Sequence, residues 1–271
     1  MNRDGADKTF LGLCVAVSVF LSGCSRPRPL DQVVLPADSS NDAPFKLARL
    51  YKPPVPGGGS LQARLAPLFL LEVDNDTAPV ERMTVRCSTN TVSLNGQSHM
   101  QLWSSWDFAG DRQTSGQHWL CMILDRDGKP FLWLIPPHAD ETTRLYVSQS
   151  LEAVARRQFG PPLPGRRFSV ERDVQGDPRA VVAGVVSDGP VAMGPIVHLR
   201  QETHEIATIT CRCDTPQARE LAGTVAYELV SVDRPEVSSD TSKRAMPGGS
   251  VLPDRFMTND LSQILRFPAM H

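Results

Sequence analysis

Apolar residues recur along this chain at different periods, and each period predicts a different element. Met83-Thr84-Val85-Arg86-Cys87 alternates apolar with polar side chains, the period-two signature of a half-buried strand with Met83, Val85 and Cys87 facing inward. Leu68 to Val73 is a short apolar run, read as the strand that opens the folded part. His118 to Leu124 and Phe131 to Ile135 flank Asp125-Arg126-Asp127-Gly128-Lys129, and Asp-Gly between apolar runs predicts a hairpin. Neither arm alternates: Leu120, Met122 and Leu124 point one way and Trp119, Cys121 and Ile123 the other. Both faces of this hairpin are therefore expected to be covered.

A cover follows directly. Leu151, Val154, Ala155 and Phe159 fall on one stripe of a helix over Ser150 to Phe159. Ser150 suits its first turn, Glu152 and Arg156-Arg157 suit the two ends of its dipole, and Gly160-Pro161-Pro162 stops it. The helix is predicted to pack on the central hairpin.

The second half reads as a meander, with strands over Arg167 to Val174, Ala180 to Val186, Ile196 to Arg200 and Ile206 to Cys213. Asp214 and Gln217 resemble a capping box, Pro216 fits a first helical turn and Gly223 a stop, so a short helix is expected there, before a strand over Thr224 to Val232. The fold class is α+β: mainly an antiparallel sheet or meander with one or two short amphipathic helices packed on it.

Proline and glycine divide the chain further. Residues 24–65 carry many prolines and Gly57-Gly58-Gly59, and read as a flexible tether with one helical turn over Phe45 to Tyr51. Residues 66–234 form a single β-rich domain. Residues 235–271 read as a mobile tail in which Thr258 to Arg266 makes a short helix, with Leu261, Ile264 and Leu265 docking back.

At the N-terminus, the apolar run from Phe10 to Leu21 fits a secretory segment and is too short to cross a bilayer, which needs roughly 20 residues. It closes on Leu21-Ser22-Gly23-Cys24, which resembles the lipobox of bacterial lipoproteins. The resemblance implies that residues 1–23 are a lipoprotein signal peptide, cut between Gly23 and Cys24. It further implies a diacylglyceryl thioether on Cys24, with palmitate-type chains holding the protein to a membrane of the bacterial cell envelope. Each buried methylene contributes about 0.8 kcal/mol, so two or three chains make a stable anchor. Ser25, where an aspartate would signal inner-membrane retention, implies the outer membrane, with the domain facing the periplasm or the exterior.

A net charge of −2 with no basic stripe excludes nucleic acid as a partner. Four cysteines lie in the folded part: Cys87, Cys121, Cys211 and Cys213. In an oxidising envelope they suggest two disulfides. Cys211 and Cys213 on one face of a strand make a poor bridge, so each is expected to pair with Cys87 or Cys121, in one of two connectivities. Four small buried hydrophobes are the competing reading. Cys211-x-Cys213 with His198 or His204 is a weaker candidate for a metal or redox site, because structural metal sites space their cysteines by two or more residues on a turn.

The histidines at 99, 118, 138, 198 and 204 form no H-E-x-x-H helix. No Gly-x-Ser-x-Gly elbow, no Ser-x-x-Lys in the folded segment and no glycine-rich phosphate loop with its lysine is present. No metal, cofactor or catalytic residue is therefore assigned. Trp103 and Trp106 share a segment with Ser104, Ser105 and Asp107, and exposed aromatics beside polar groups could stack on a glycan or meet a partner protein. Trp119 and Trp133 suit core packing. The chain thus reads as an anchored envelope lipoprotein with a binding or structural role. An envelope hydrolase or a redox or metal protein, its site assembled from scattered residues, is the alternative.

Overall fold

The computed structural model describes residues 45–54, 61–109, 118–136, 143–160, 180–214, 218–232 and Pro268. The chain is an α+β fold dominated by mixed, largely antiparallel sheet with short helices packed on it. In order, the elements are β1 (Phe45–Lys52), α1 (Leu61–Leu65), β2 (Leu68–Glu72), β3 (Met83–Leu94), β4 (Gln97–Phe108), β5 (His118–Leu124) and β6 (Pro130–Ile135). Then come β7 (Thr143–Ser148), α2 (Gln149–Phe159), β8 (Ala180–Val186), β9 (Ile196–Leu199), β10 (Ile206–Thr210), β11 (Ala218–Ala226) and β12 (Glu228–Ser231).

One sheet has the order β12-β3-β4-β5-β6-β7-β8, in which β3 to β7 are an antiparallel meander and β12 and β8 add in parallel at the two edges. The other has the order β10-β9-β2-β1-β11. A single apolar cluster draws on both sheets, with Tyr51, Phe69, Leu71, Val197 and Ile209 from the smaller and Val85, Leu102, Trp106, Leu120 and Met122 from the larger. The sheets are thus two layers of one core, as a sheet with an apolar face requires.

The larger sheet buries its other face as well. Trp103, Cys121, Ile123, Leu132, Leu134 and Val147 form a second cluster closed by Leu151 and Ala155 of α2. The double covering expected for the β5–β6 hairpin is therefore present, and α2 supplies part of it. Ser148, rather than Ser150, is the cap: its hydroxyl accepts the Leu151 N–H at 3.1 Å. Gly160 at φ 83 ends the helix, its N–H donating to the Arg156 carbonyl at 3.0 Å.

Three readings of the sequence change. Phe45–Lys52 is a strand between β2 and β11, not a helical turn in a tether, so the folded part includes residues before Ala66 and reaches back at least to Phe45. Pro53 follows the last residue of this strand and does not interrupt its ladder. Residues 218–226 form β11, parallel to β1, where a short helix was expected. The capping signal is local, and pairing with β1 overrides it; Gly223, at φ 125, lies where the β1–β11 register shifts. The second half is also no simple meander, because β8 joins β7 in parallel and β9 joins β2 in parallel, placing them in different sheets. The signal peptide, Cys24, the strand expected over Arg167 to Val174 and the C-terminal helix over Thr258 to Arg266 lie outside the described residues.

Candidate functional site

Strand β10 ends at Thr210, and the chain turns at once. Asp214 makes that turn: its Oδ2 accepts the Cys211 N–H at 3.1 Å, and its own N–H donates to the Cys211 carbonyl at 3.1 Å. The Cα atoms of Cys211 and Cys213 consequently lie 5.1 Å apart, and the two form a disulfide. A straight strand would hold them roughly 6.5 Å apart, whereas 5.1 Å suits a bridge. The expectation that each would pair with Cys87 or Cys121 is therefore corrected. Its premise, a strand running to Cys213, fails at Thr210.

Cys87 and Cys121 are buried free thiols. Cys87 belongs to the core between the sheets and Cys121 to the cluster under α2, so neither can reach the other. Burial pushes both thiols up from their ordinary range, opposed at Cys87 by the Ser104 hydroxyl 3.5 Å from its sulfur.

Trp103 and Trp106 are 1% and 0% exposed, which rules out the surface patch read from the sequence. Trp103 packs edge-on against Trp119 in the cluster under α2, while Trp106 stacks on His118 and meets Phe69 in the central core. The polar neighbours Ser104 and Ser105 are buried with them. Both indoles are core residues, and glycan stacking on them is excluded by their lack of surface.

The turn that carries the disulfide is fastened from below. Arg212 is half-buried and donates from Nη2 to the Ala66 carbonyl, and Tyr227 donates its hydroxyl to the Pro67 carbonyl at 2.8 Å. Burial lowers the Arg212 guanidinium to about 10 and raises the Tyr227 phenol well above its ordinary value. His198 is also buried, bonded through Nε2 to Thr210 Oγ1 at 3.1 Å, and burial lowers it to about 4. It is a neutral core histidine, not a ligand beside Cys211. His204 stacks on Phe108 and faces Glu81 at 3.6 Å. Among the described residues, no group of three or more His, Cys, Asp or Glu side chains could hold a metal ion.

A cleft of about 530 Å³ lies between the start of β4, the β5–β6 turn and the flank of α2. Its lining includes Gln97, His99, Asp125, Asp127, Arg126 and Arg157, so charges of both signs meet there. Asp125 Oδ1 is engaged in its own turn, accepting the N–H groups of Asp127 at 2.9 Å and Lys129 at 2.8 Å. His99 Nδ1 faces the Leu124 carbonyl at 3.1 Å, and its ring sits edge-on to Phe131. Ser150 also lines the cleft, and its hydroxyl donates to Asp188 Oδ1 at 3.1 Å. The Asp188 carbonyl in turn lies 3.8 Å from Cys213 Sγ, so one residue joins the cleft to the disulfide.

Comparison with known proteins returns no counterpart: no family model matches the chain, and neither does any curated protein or solved structure. Among the described residues no helix is long and apolar enough to cross a membrane. The cleft was not foreseen from the sequence, because its charged lining comes from three separate segments. Only the Asp125–Gly128 turn carried a signal, and that signal was for a hairpin.

Proposed function

We propose that this chain is a lipid-anchored lipoprotein of the bacterial cell envelope that presents a binding domain near the membrane surface. The observation that carries the reading is Leu21-Ser22-Gly23-Cys24 after the apolar run from Phe10, with Cys24 as the acylated residue. Ser25 favours the outer membrane over the inner. On this reading the tether is at most the stretch between Cys24 and the first residue of β1, residues 25–44. As a flexible chain, about 20 residues would have a root-mean-square reach of roughly 25 Å, enough to clear lipid headgroups.

The binding surface of this reading is the cleft beside α2. Two carboxylates and two guanidinium groups suit a polar or charged ligand, either a glycan or a loop of an envelope protein. A binding role is favoured over hydrolysis because the Ser150 hydroxyl is paired with a carboxylate, Asp188, rather than with an imidazole, and His99 Nδ1 is turned to a backbone carbonyl.

The anchor is tested by expressing the full chain and its Cys24→Ala variant in a bacterial host with labelled palmitate. The wild-type chain should take up label and sediment with membranes, and the variant should do neither. Equal sedimentation of the two, with no label in either, would overturn the reading.

A further inference from the structure

The Cys211–Cys213 bond differs in kind from a structural disulfide. It closes a loop with one intervening residue and ties together no separate elements. The entropic stabilisation from a disulfide grows with the length of the loop it closes, so here it is at its smallest. Nor does the turn need the bond, since Asp214 holds it through both the N–H and the carbonyl of Cys211 while Arg212 pins it to Ala66. A dithiol left after reduction would stay in place.

The two sulfurs are also unlike each other. Cys213 is exposed, whereas Cys211 is 5% exposed at the edge of the central core. The Cys213 N–H donates to Cys211 Sγ at 3.1 Å, which stabilises negative charge on that sulfur. Around Cys213 Sγ stand only acceptors among the described partners, the Asp188 carbonyl at 3.8 Å and Asp214 Oδ1 at 4.0 Å. They favour the protonated thiol over the thiolate. Charge released on opening the bond is therefore directed to Cys211, and approach from outside is directed to Cys213.

We propose that Cys211–Cys213 is an exchangeable disulfide that oxidises a dithiol on a partner protein, with Cys213 as the sulfur attacked; this goes beyond the anchored-binder reading and does not rest on it. A partner thiolate attacks Cys213 Sγ, forming a mixed disulfide, while the bond to Cys211 breaks and its electron pair leaves on Cys211 Sγ, which then takes a proton. The partner's second thiolate attacks its own sulfur in the mixed disulfide and releases Cys213 as a thiolate, which is protonated. Two electrons and two protons have passed from the partner dithiol to this chain, and the partner carries a disulfide. The reverse exchange with a partner disulfide restores the bond. Exposed disulfides are the ones suited to such exchange.

Glutathione serves as the probe, on the full-length purified protein. Reduced glutathione should open the bond without denaturant, read by mass spectrometry as two alkylated cysteines in the 211–213 peptide while Cys87 and Cys121 stay unmodified. Acid quenching of that wild-type reaction before it is complete should trap glutathione on Cys213, at least tenfold more than on Cys211, as read by peptide fragmentation. A bond that stays closed until the protein is unfolded would overturn the proposal, and glutathione trapped equally on the two sulfurs or mainly on Cys211 would overturn the assignment of Cys213.

Discussion

Cys87 and Cys121 lie on opposite faces of one sheet with β4 between them, which presents Ser104 to Cys87 and Trp103 to Cys121. No rotamer brings these thiols together, and both are 0% exposed. Burial also holds each in its unreactive protonated form. The expected outcome is that neither reacts with an alkylating agent in the native protein at neutral pH. On unfolding without reductant, peptide mapping should find Cys87 and Cys121 modified and Cys211 and Cys213 blocked. Modification of Cys121 in the native state would show that the layer under α2 opens.

His198 makes stability depend on pH in a stated direction. Burial lowers its folded value to about 4, below the ordinary 6.5, so the unfolded chain binds the proton first. Its contribution is fully present above pH 6.5 and is lost as pH falls through the window from 6.5 to 4. At pH 5 the loss is about 2 kcal/mol relative to pH 8. Urea unfolding at the two pH values should show this extra slope in the wild-type chain. His198→Gln should lack it while losing some stability throughout, and an unchanged slope would mean that another group is responsible.

How much of this was legible depended on whether the forces involved were local. The β5–β6 hairpin and α2 were read correctly because turn chemistry and helical spacing lie within a few residues of each other. The β3–β4 hairpin carried an equally local signal in Asn95-Gly96, whose φ values of 51 and 75 fit a two-residue hairpin turn. Its second strand escaped notice because Gln101, Ser104 and Ser105 are buried among its apolar residues, which blurs the alternation. Strand β1 was hidden for another reason: its parallel partner, β11, is far along the chain, and the prolines around it suggested a tether. In the site, Ile209, Cys211 and Cys213 alternate as a strand would. What ends the strand is the pair of hydrogen bonds between Cys211 and Asp214, which no periodicity displays.

Gly194 should be among the least substitutable positions. A Cβ built there would land on the Leu65 carbonyl oxygen, 2.7 Å from its carbon and 2.8 Å from the Ala66 carbonyl oxygen. These are backbone atoms, fixed by the Gly194 N–H to the Arg64 carbonyl and by the Leu68 N–H to the Pro195 carbonyl. Gly194→Ala is expected to cost about 3 kcal/mol, as overpacking does where neighbours cannot yield. Gly96→Ala provides the contrast: nothing lies within 4 Å, and only its φ of 75 opposes a side chain, at about 1 kcal/mol. Denaturant midpoints of the two variants should keep that order.

Trp103→Ala separates the core reading of the tryptophans from the surface reading. If the indole met a ligand from the surface, its loss would weaken binding and leave stability unchanged. Trp103 instead fills the layer between the larger sheet and α2, touching Trp119 and sharing a cluster with Cys121, Ile123 and Leu151. Truncation removes that surface from burial and leaves a cavity, at about 3–5 kcal/mol. The unfolding midpoint should fall accordingly, and Cys121, opposite Trp103 in the β4–β5 register, should become open to alkylation under native conditions. Unchanged stability with Cys121 still protected would contradict the packing described here.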